Sequence, residues 1–279
     1  MSDTVIAGYL PARVMAQPDT VYCTDLFDQS VDMILCDLPY QVTQQKWDVI
    51  IPFDPMWAEF RRVIKRHGAI VLTASQPFTS RLVCSNLGMF RYSWVWLKSN
   101  LSNFLNAKRQ PMEGHEDVLI FAGSQTKFNR QPTPRKDATR AKYPYKSNVN
   151  IAAPYGAYNF VPRRAIDLEF GAPNSVLEFT SDRGLHPTQK PVALFEYLIR
   201  TYTQPGDLVF DPCCGSGTTA VSARNLDRRF IVGDSGTDDR TSKTWAAITR
   251  ERLQQTDPYQ STTLPTGAIQ HSLFEAVRP

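Results

Sequence analysis

Val31-Asp32-Met33-Ile34-Leu35-Cys36-Asp37-Leu38-Pro39-Tyr40 is the stretch that decides the fold. Its first six residues are apolar except Asp32, the pattern of a parallel strand buried on both faces. Asp37, Pro39 and Tyr40 then fall at the carboxyl end of that strand, where open α/β sheets bind their ligands. The Asp37 carboxylate can accept a hydrogen bond from an exocyclic amine, and the Leu38 carbonyl can accept a second. Pro39 stiffens the turn. The Tyr40 ring can stack on a flat heterocycle. Together they form a clamp for an aromatic amino group. An ordinary strand-to-loop turn would show the same four residues.

A second stretch narrows the choice. Residues 207–211 read as a short strand, followed by Pro212-Cys213-Cys214-Gly215-Ser216-Gly217-Thr218-Thr219. A glycine turn between strand and helix lets a ligand approach the backbone. The spacing is neither the dinucleotide fingerprint nor a phosphate-binding loop. That counts against a nucleotide-dependent oxidoreductase.

Taken together, these residues resemble the permuted S-adenosylmethionine-dependent DNA amino-methyltransferases, in which the catalytic motif precedes the cofactor motif. Asp37-Leu38-Pro39-Tyr40 resembles the family's D-P-P-Y, with leucine for the first proline. Residues 211–219 resemble its D-P-F-x-G-S-G-T-T. His186-Pro187-Thr188-Gln189-Lys190-Pro191 resembles H-P-T-Q-K-P, and His115-Glu116-Asp117 a weaker block.

The resemblance implies a Rossmann-like α/β fold, a mostly parallel sheet of about seven strands with helices on both faces, plus a target-recognition insertion. It implies S-adenosyl-L-methionine as cofactor. The cofactor set is then Asp25, His186, Thr188, Lys190, Asp211, Pro212, Cys213, Gly215, Ser216, Gly217, Thr218, Thr219 and Asp234. Asp234 stands where the family usually carries glutamate, so its reach is shorter. Asp37, Leu38, Pro39 and Tyr40 would be catalytic, and the target base would be flipped out of the duplex. An acid at the first motif position goes with adenine N6 in this family. Cytosine-N4 enzymes more often carry serine there, but an aspartate would also serve the cytosine N4 amine, so cytosine N4 is the first alternative. A non-catalytic DNA-binding module on the same fold is the alternative of another class. Restriction–modification is one setting for such an enzyme.

Composition agrees with a globular enzyme. The chain has 279 residues, 42% hydrophobic and 21% charged, room for one large α/β domain with an insertion. No apolar run approaches the roughly 18 residues of a membrane span. No signal peptide is visible at the N-terminus. The five cysteines form no C-x-x-C pair, which predicts free thiols in a reducing cytoplasm and no metal.

Charge is uneven. Residues 124–165 hold Lys127, Arg130, Arg135, Lys136, Arg140, Lys142, Lys146, Arg163 and Arg164 against Asp137, so +8 in a chain of net +4. Six tyrosines and phenylalanines are interleaved. Basic and aromatic residues mixed between two motif blocks predict contact with double-stranded DNA by Arg130, Arg135, Lys136, Arg140, Lys142, Lys146, Arg163 and Arg164. The expected organisation is residues 1–123 for the catalytic part, 124–185 for the recognition insertion, 186–256 for the cofactor part and 257–279 for a surface tail. A homodimer is left open.

Residues 1–20 read as an irregular lead-in and 21–24 as a short strand. Asp54-Pro55 opens a helix that His67-Gly68 ends. Residues 90–98 and 116–121 read as strands, with a polar loop over 99–113. His115 reads as structural, with a substrate contact as the alternative.

Overall fold

A computed structural model describes residues 4–7, 15–17, 20–22, 26–41, 48–134, 170–181, 189–238 and 240–255. The elements run β1 (Thr4–Ala7), β2 (Met15–Gln17), β3 (Thr20–Tyr22), β4 (Val31–Asp37), α1 (Phe53–Val63), β5 (Ile64–Ala74), α2 (Phe78–Ser85), β6 (Phe90–Ser102), β7 (Glu113–Phe121), β8 (Thr133–Pro134), β9 (Phe170–Gly171), β10 (Val176–Phe179), α3 (Val192–Tyr202), β11 (Leu208–Asp211), α4 (Thr218–Asn225), β12 (Arg229–Gly233) and α5 (Trp245–Gln254).

By its internal contacts the chain divides into two units, Met1–Asn129 with Ser175–Pro265, and Arg130–Asn174 with Thr266–Pro279. The first unit carries an eight-stranded sheet in the order β1-β12-β11-β4-β5-β7-β6-β10. The steps from β12 to β5 are parallel, as is β10 on β6. β7 runs antiparallel between β5 and β6, and β1 lies antiparallel on β12. The strands β12, β11, β4, β5, β6 and β10 therefore all point their carboxyl ends at one edge. In the second unit, β8 pairs antiparallel with β9.

The period of two along each strand builds a core on each face. Ile34 and Cys36 of β4, with Ile70, Leu72, Leu119 and Phe121, pack on Met56, Trp57, Phe60 and Val63 of α1 and Phe78 and Leu82 of α2. Met33, Leu35, Val71, Val118 and Ile120 face the other way, onto Leu194, Phe195, Leu198 and Ile199 of α3 and Ala220 and Ala223 of α4. Burying each large apolar side chain contributes about 1.5–3 kcal/mol. Asp32, the one acid in the run, is buried but satisfied. Its Oδ2 accepts from the Leu208 amide at 3.0 Å and from Lys65 at 2.7 Å, pinning β11 to β4.

This is the mostly parallel α/β sheet with helices on both faces that the motifs imply. Its details depart from the reading in four places. The lead-in is not irregular throughout, because β1 closes one edge of the sheet. The expected short strand at 21–24 is present as β3 over Thr20–Tyr22, which pairs antiparallel with β2, while residues 23 and 24 lie outside the described residues. α1 begins at Phe53 with no side-chain cap, so Asp54 sits inside its first turn. It ends at Val63, and His67 and Gly68 lie within β5. Gly68 is required there by close approach, since a Cβ would fall 2.8 Å from the Asp32 carbonyl oxygen. Finally, β6 and β7 continue to Ser102 and from Glu113, so most of the expected loop is a hairpin. Among the described residues no helix is long and apolar enough to cross a membrane, and no cluster of His, Cys, Asp or Glu could hold a metal ion.

Candidate active site

Asp37 falls on the same face as Met33 and Leu35, the face covered by α3. Thr73 lies beside it in register on β5, and Glu116, two residues before Val118 on β7, shares that face. The sheet thus assembles an acid, a hydroxyl and a second acid beneath the segment entering α3. That segment supplies Lys190, whose Nζ donates to Asp37 Oδ2 at 2.7 Å and lies 3.3 Å from Glu116 Oε2. Lys98 of β6 meets Glu116 Oε1 at 3.4 Å. The Tyr40 hydroxyl donates to Asp37 Oδ1 at 2.5 Å and lies 2.9 Å from Thr73 Oγ1, which itself donates to the same carboxylate oxygen.

A carboxylate offers about four acceptor positions. Tyr40, Thr73 and Lys190 occupy three, leaving a place on Oδ2. Burial works to lower the Lys190 pKa, but Asp37 and Glu116 outweigh it and hold it above the ordinary lysine value. Burial, then Asp37, pushes the Tyr40 phenol well above its usual range, so it remains a donor. The Tyr40 ring is half-buried and stacks on Phe78 at 5.1 Å between centroids, at 25°.

One strand over, β11 delivers Asp211 and the glycine turn. Gly215 and Gly217 adopt φ of 48° and 82°, the left-handed region that glycine enters without penalty. A Cβ on Gly217 would meet the Thr249 side chain at 2.5 Å, so glycine is required twice over. Asp211 ties the turn back to its own start, accepting from the Cys213 amide at 3.0 Å and from Thr219 Oγ1. Asp234, at the end of β12, accepts from the Gly215 amide at 2.8 Å and the Gly236 amide at 2.7 Å. Its carboxylate braces the turn while each oxygen keeps a second acceptor position. Burial raises the Asp234 pKa, opposed by those two amides.

Burial also pushes Asp211 up to about 7, against the donors Thr219 and Cys213. The folded state therefore binds a proton that the unfolded chain, with a carboxyl near 3.8, has already lost. This group's contribution to stability should fall as pH rises from about 4 to about 7 and then level off. Urea melts across that range test it: Asp211→Asn should flatten the decline, and an unchanged slope would place the titration elsewhere.

The two halves are joined through Gln189 and Lys190. Ser216 Oγ donates to Gln189 Oε1 and Thr218 Oγ1 to the Lys190 carbonyl, both at 3.4 Å. Lys190, expected among the cofactor residues, turns its ammonium onto Asp37. Asp37, Leu38, Pro39 and Tyr40 are together at the end of β4. Asp211, Pro212, Cys213, Gly215, Ser216, Gly217, Thr218, Thr219 and Asp234 are together around the turn. Asp25, His186 and Thr188 lie outside the described residues, as do Arg135, Lys136, Arg140, Lys142, Lys146, Arg163 and Arg164. Arg130 is described and exposed. Lys127 is paired with Asp207 at 2.7 Å and Asp32 at 3.5 Å, which compensates part of the +8.

Thr73, Glu116 and Lys98 were not read as site residues from sequence. Period-two alternation back from Val118 is the signal that could have singled out Glu116. The same alternation sets His115 on the opposite face from Asp37, where it is exposed. Cys36 is fully buried, and burial, then Cys213, pushes its thiol well above the ordinary range, so it packs rather than attacks.

An acid turn and a glycine turn on adjacent parallel strands define an α/β fold of the methyltransferase type. A solved structure with this fold is PvuII DNA methyltransferase (cytosine-N4-specific), at TM-score 0.54 and 14% identity over 84% of this chain and 83% of that one. Residues 31–238 match the N6_N4_Mtase family, described as DNA methylase, and the chain belongs to that family of N6/N4 DNA methyltransferases. It is similar to the type II methyltransferase M.HpaI of Haemophilus parainfluenzae, 27% identical over 82% of this chain and 70% of that protein. It is also similar to the DNA adenine methyltransferase YhdJ of Escherichia coli K12, 29% identical over 73% of this chain and 71% of that protein.

Proposed function

We propose that this protein transfers a methyl group from S-adenosylmethionine to the N6 amine of an adenine flipped out of duplex DNA. The observation that carries the reading is the Asp37 carboxylate, held by Tyr40, Thr73 and Lys190 with one acceptor position left, beside a glycine turn on the next strand. Similarity to a DNA adenine methyltransferase favours adenine over cytosine. The cofactor fits the turn on two grounds. Gly215 carries no side chain to hold a ligand off the backbone, and Asp234 retains an acceptor position on each oxygen for a pair of ribose hydroxyls. Once bound, the cofactor supplies a methyl group made electrophilic by its sulfonium.

The protein's own residues act on the amine. Its nitrogen lone pair is delocalised into the base and attacks poorly. Asp37 Oδ2 and the Leu38 carbonyl accept hydrogen bonds from its two N–H groups, which favours a tetrahedral nitrogen with its lone pair aimed outward. The proton shed after transfer can leave by way of Asp37. Tyr40 both holds Asp37 and bounds the base pocket, so its hydroxyl matters as well as its ring. The exposed Arg130, with the basic residues that follow it, is assigned to duplex phosphates. The cytoplasm suits a protein whose cysteines are to stay reduced.

The test is incubation of labelled S-adenosylmethionine with mixed-sequence duplex DNA. Label in the DNA is expected. A folded protein that binds DNA and leaves it unlabelled would make this a binding module instead.

A further inference from the structure

The β6–β7 hairpin carries a feature that methyl transfer itself does not use. Because β6 runs parallel to β4 and β5, its carboxyl end leaves the sheet at the edge that holds Asp37. Asp37 is level with Thr73, Val118 and Trp94 across the sheet. From Trp94, β6 runs eight residues further to Ser102, a reach of no more than roughly 26 Å at about 3.3 Å per residue. The end of β6 and the tip beyond it are apolar and open: Leu101 is 55% exposed, Phe104 70% and Leu105 85%.

The tip is built rather than loose. Phe104–Asn106 form a 3-10 turn, and Asn106 Nδ2 donates to Asn103 Oδ1 at 2.7 Å. Asn103 Nδ2 donates to Glu113 Oε1 at 3.1 Å across the hairpin. That bond engages the tip's one acid, while Lys108 and Arg109 stand exposed beside Phe104 and Leu105.

We propose that this tip is a DNA-contacting element, rising beside the catalytic edge with Lys108 and Arg109 on phosphates and Phe104 and Leu105 in a groove. The inference rests on the chain's membership of a DNA methyltransferase family. Charge complementarity selects the occupant, because adjacent exposed cations match a polyanion. The core of a protein–protein interface is instead depleted of charge. Bulky apolar side chains presented on a turn are the form in which proteins wedge base steps apart.

The experiment measures binding of a random-sequence 30-base-pair duplex by fluorescence anisotropy over a series of potassium chloride concentrations, with mass by sedimentation. Lys108→Gln with Arg109→Gln should flatten the log-affinity against log-salt slope by about 1.8, for two phosphate contacts of about 0.9 each. Phe104→Ser with Leu105→Ser should weaken binding about tenfold or more with the slope kept. All four side chains are exposed, so melting temperatures should hold. Unchanged affinity and slope in both variants would overturn the assignment while leaving the methyltransferase reading intact. A serine variant that instead lowers the sedimenting mass would make the tip a contact between copies. A parent protein without affinity for the duplex would end both readings.

Discussion

Asp37→Asn should cost on the order of 100-fold or more in single-turnover methylation, about 3 kcal/mol. The substitution keeps the size of the side chain, but turns one acceptor oxygen into a donor and removes the charge that Lys190 compensates. The amide also faces donors it cannot satisfy, since Tyr40, Thr73 and Lys190 all converge on this group. Affinity for S-adenosylhomocysteine should change little, because the glycine turn is braced by Asp211 and Asp234. Tyr40→Phe should produce a smaller loss, keeping the ring on Phe78 but releasing Asp37 Oδ1. Near-normal turnover by a folded Asp37→Asn protein would refute the assignment.

Lys190→Met should have the largest effect on stability. It removes the cation between Asp37 and Glu116, leaving Asp37 without its ion-pair partner and Glu116 with Lys98 alone. Breaking a buried pair in this way costs about 3–5 kcal/mol, read as a drop in urea midpoint. Methylation should fall with it, because Asp37 loses the donor that orients Oδ2. A purely structural role is separable. Adding Glu116→Gln to Lys190→Met should restore much of the stability by removing the second charge, but should leave the rate depressed. Recovery of both together would make Lys190 a packing residue.

The legible parts of this site are those contiguous in the chain. The acid turn at 37–40 and the glycine turn at 211–219 each declare themselves because one strand end and the next few residues carry the chemistry. The Thr73–Asp37–Lys190–Glu116 network is assembled across three strands and a helix entry. Reading it requires the sheet order and the register of β7 against β5, which no local pattern supplies. The +8 segment shows the same limit in charge. Lys127 counts as a free cation in the sequence, yet Asp207, eighty residues away, pairs with it in the fold. Local signals also competed at Gly68, where a helix-ending glycine and a glycine pressed against a neighbouring strand look alike until Asp32 is placed.

The hairpin tip was hidden for a related reason. Asn100, Asn103, Lys108 and Arg109 give residues 99–113 the composition of a surface loop. The extension of β6 to Ser102 follows from pairing with Glu113 across the hairpin. Only then do Phe104 and Leu105 appear as a projecting pair rather than as scattered surface residues.

The central claim is that this catalytic edge methylates the exocyclic amine of adenine. Mass spectrometry of nucleosides, after reaction with S-adenosylmethionine and digestion of the DNA, reads the product base directly. The expected result is N6-methyladenine from the parent protein and a loss of at least about 100-fold with Asp37→Asn. N4-methylcytosine as the product would contradict the claim.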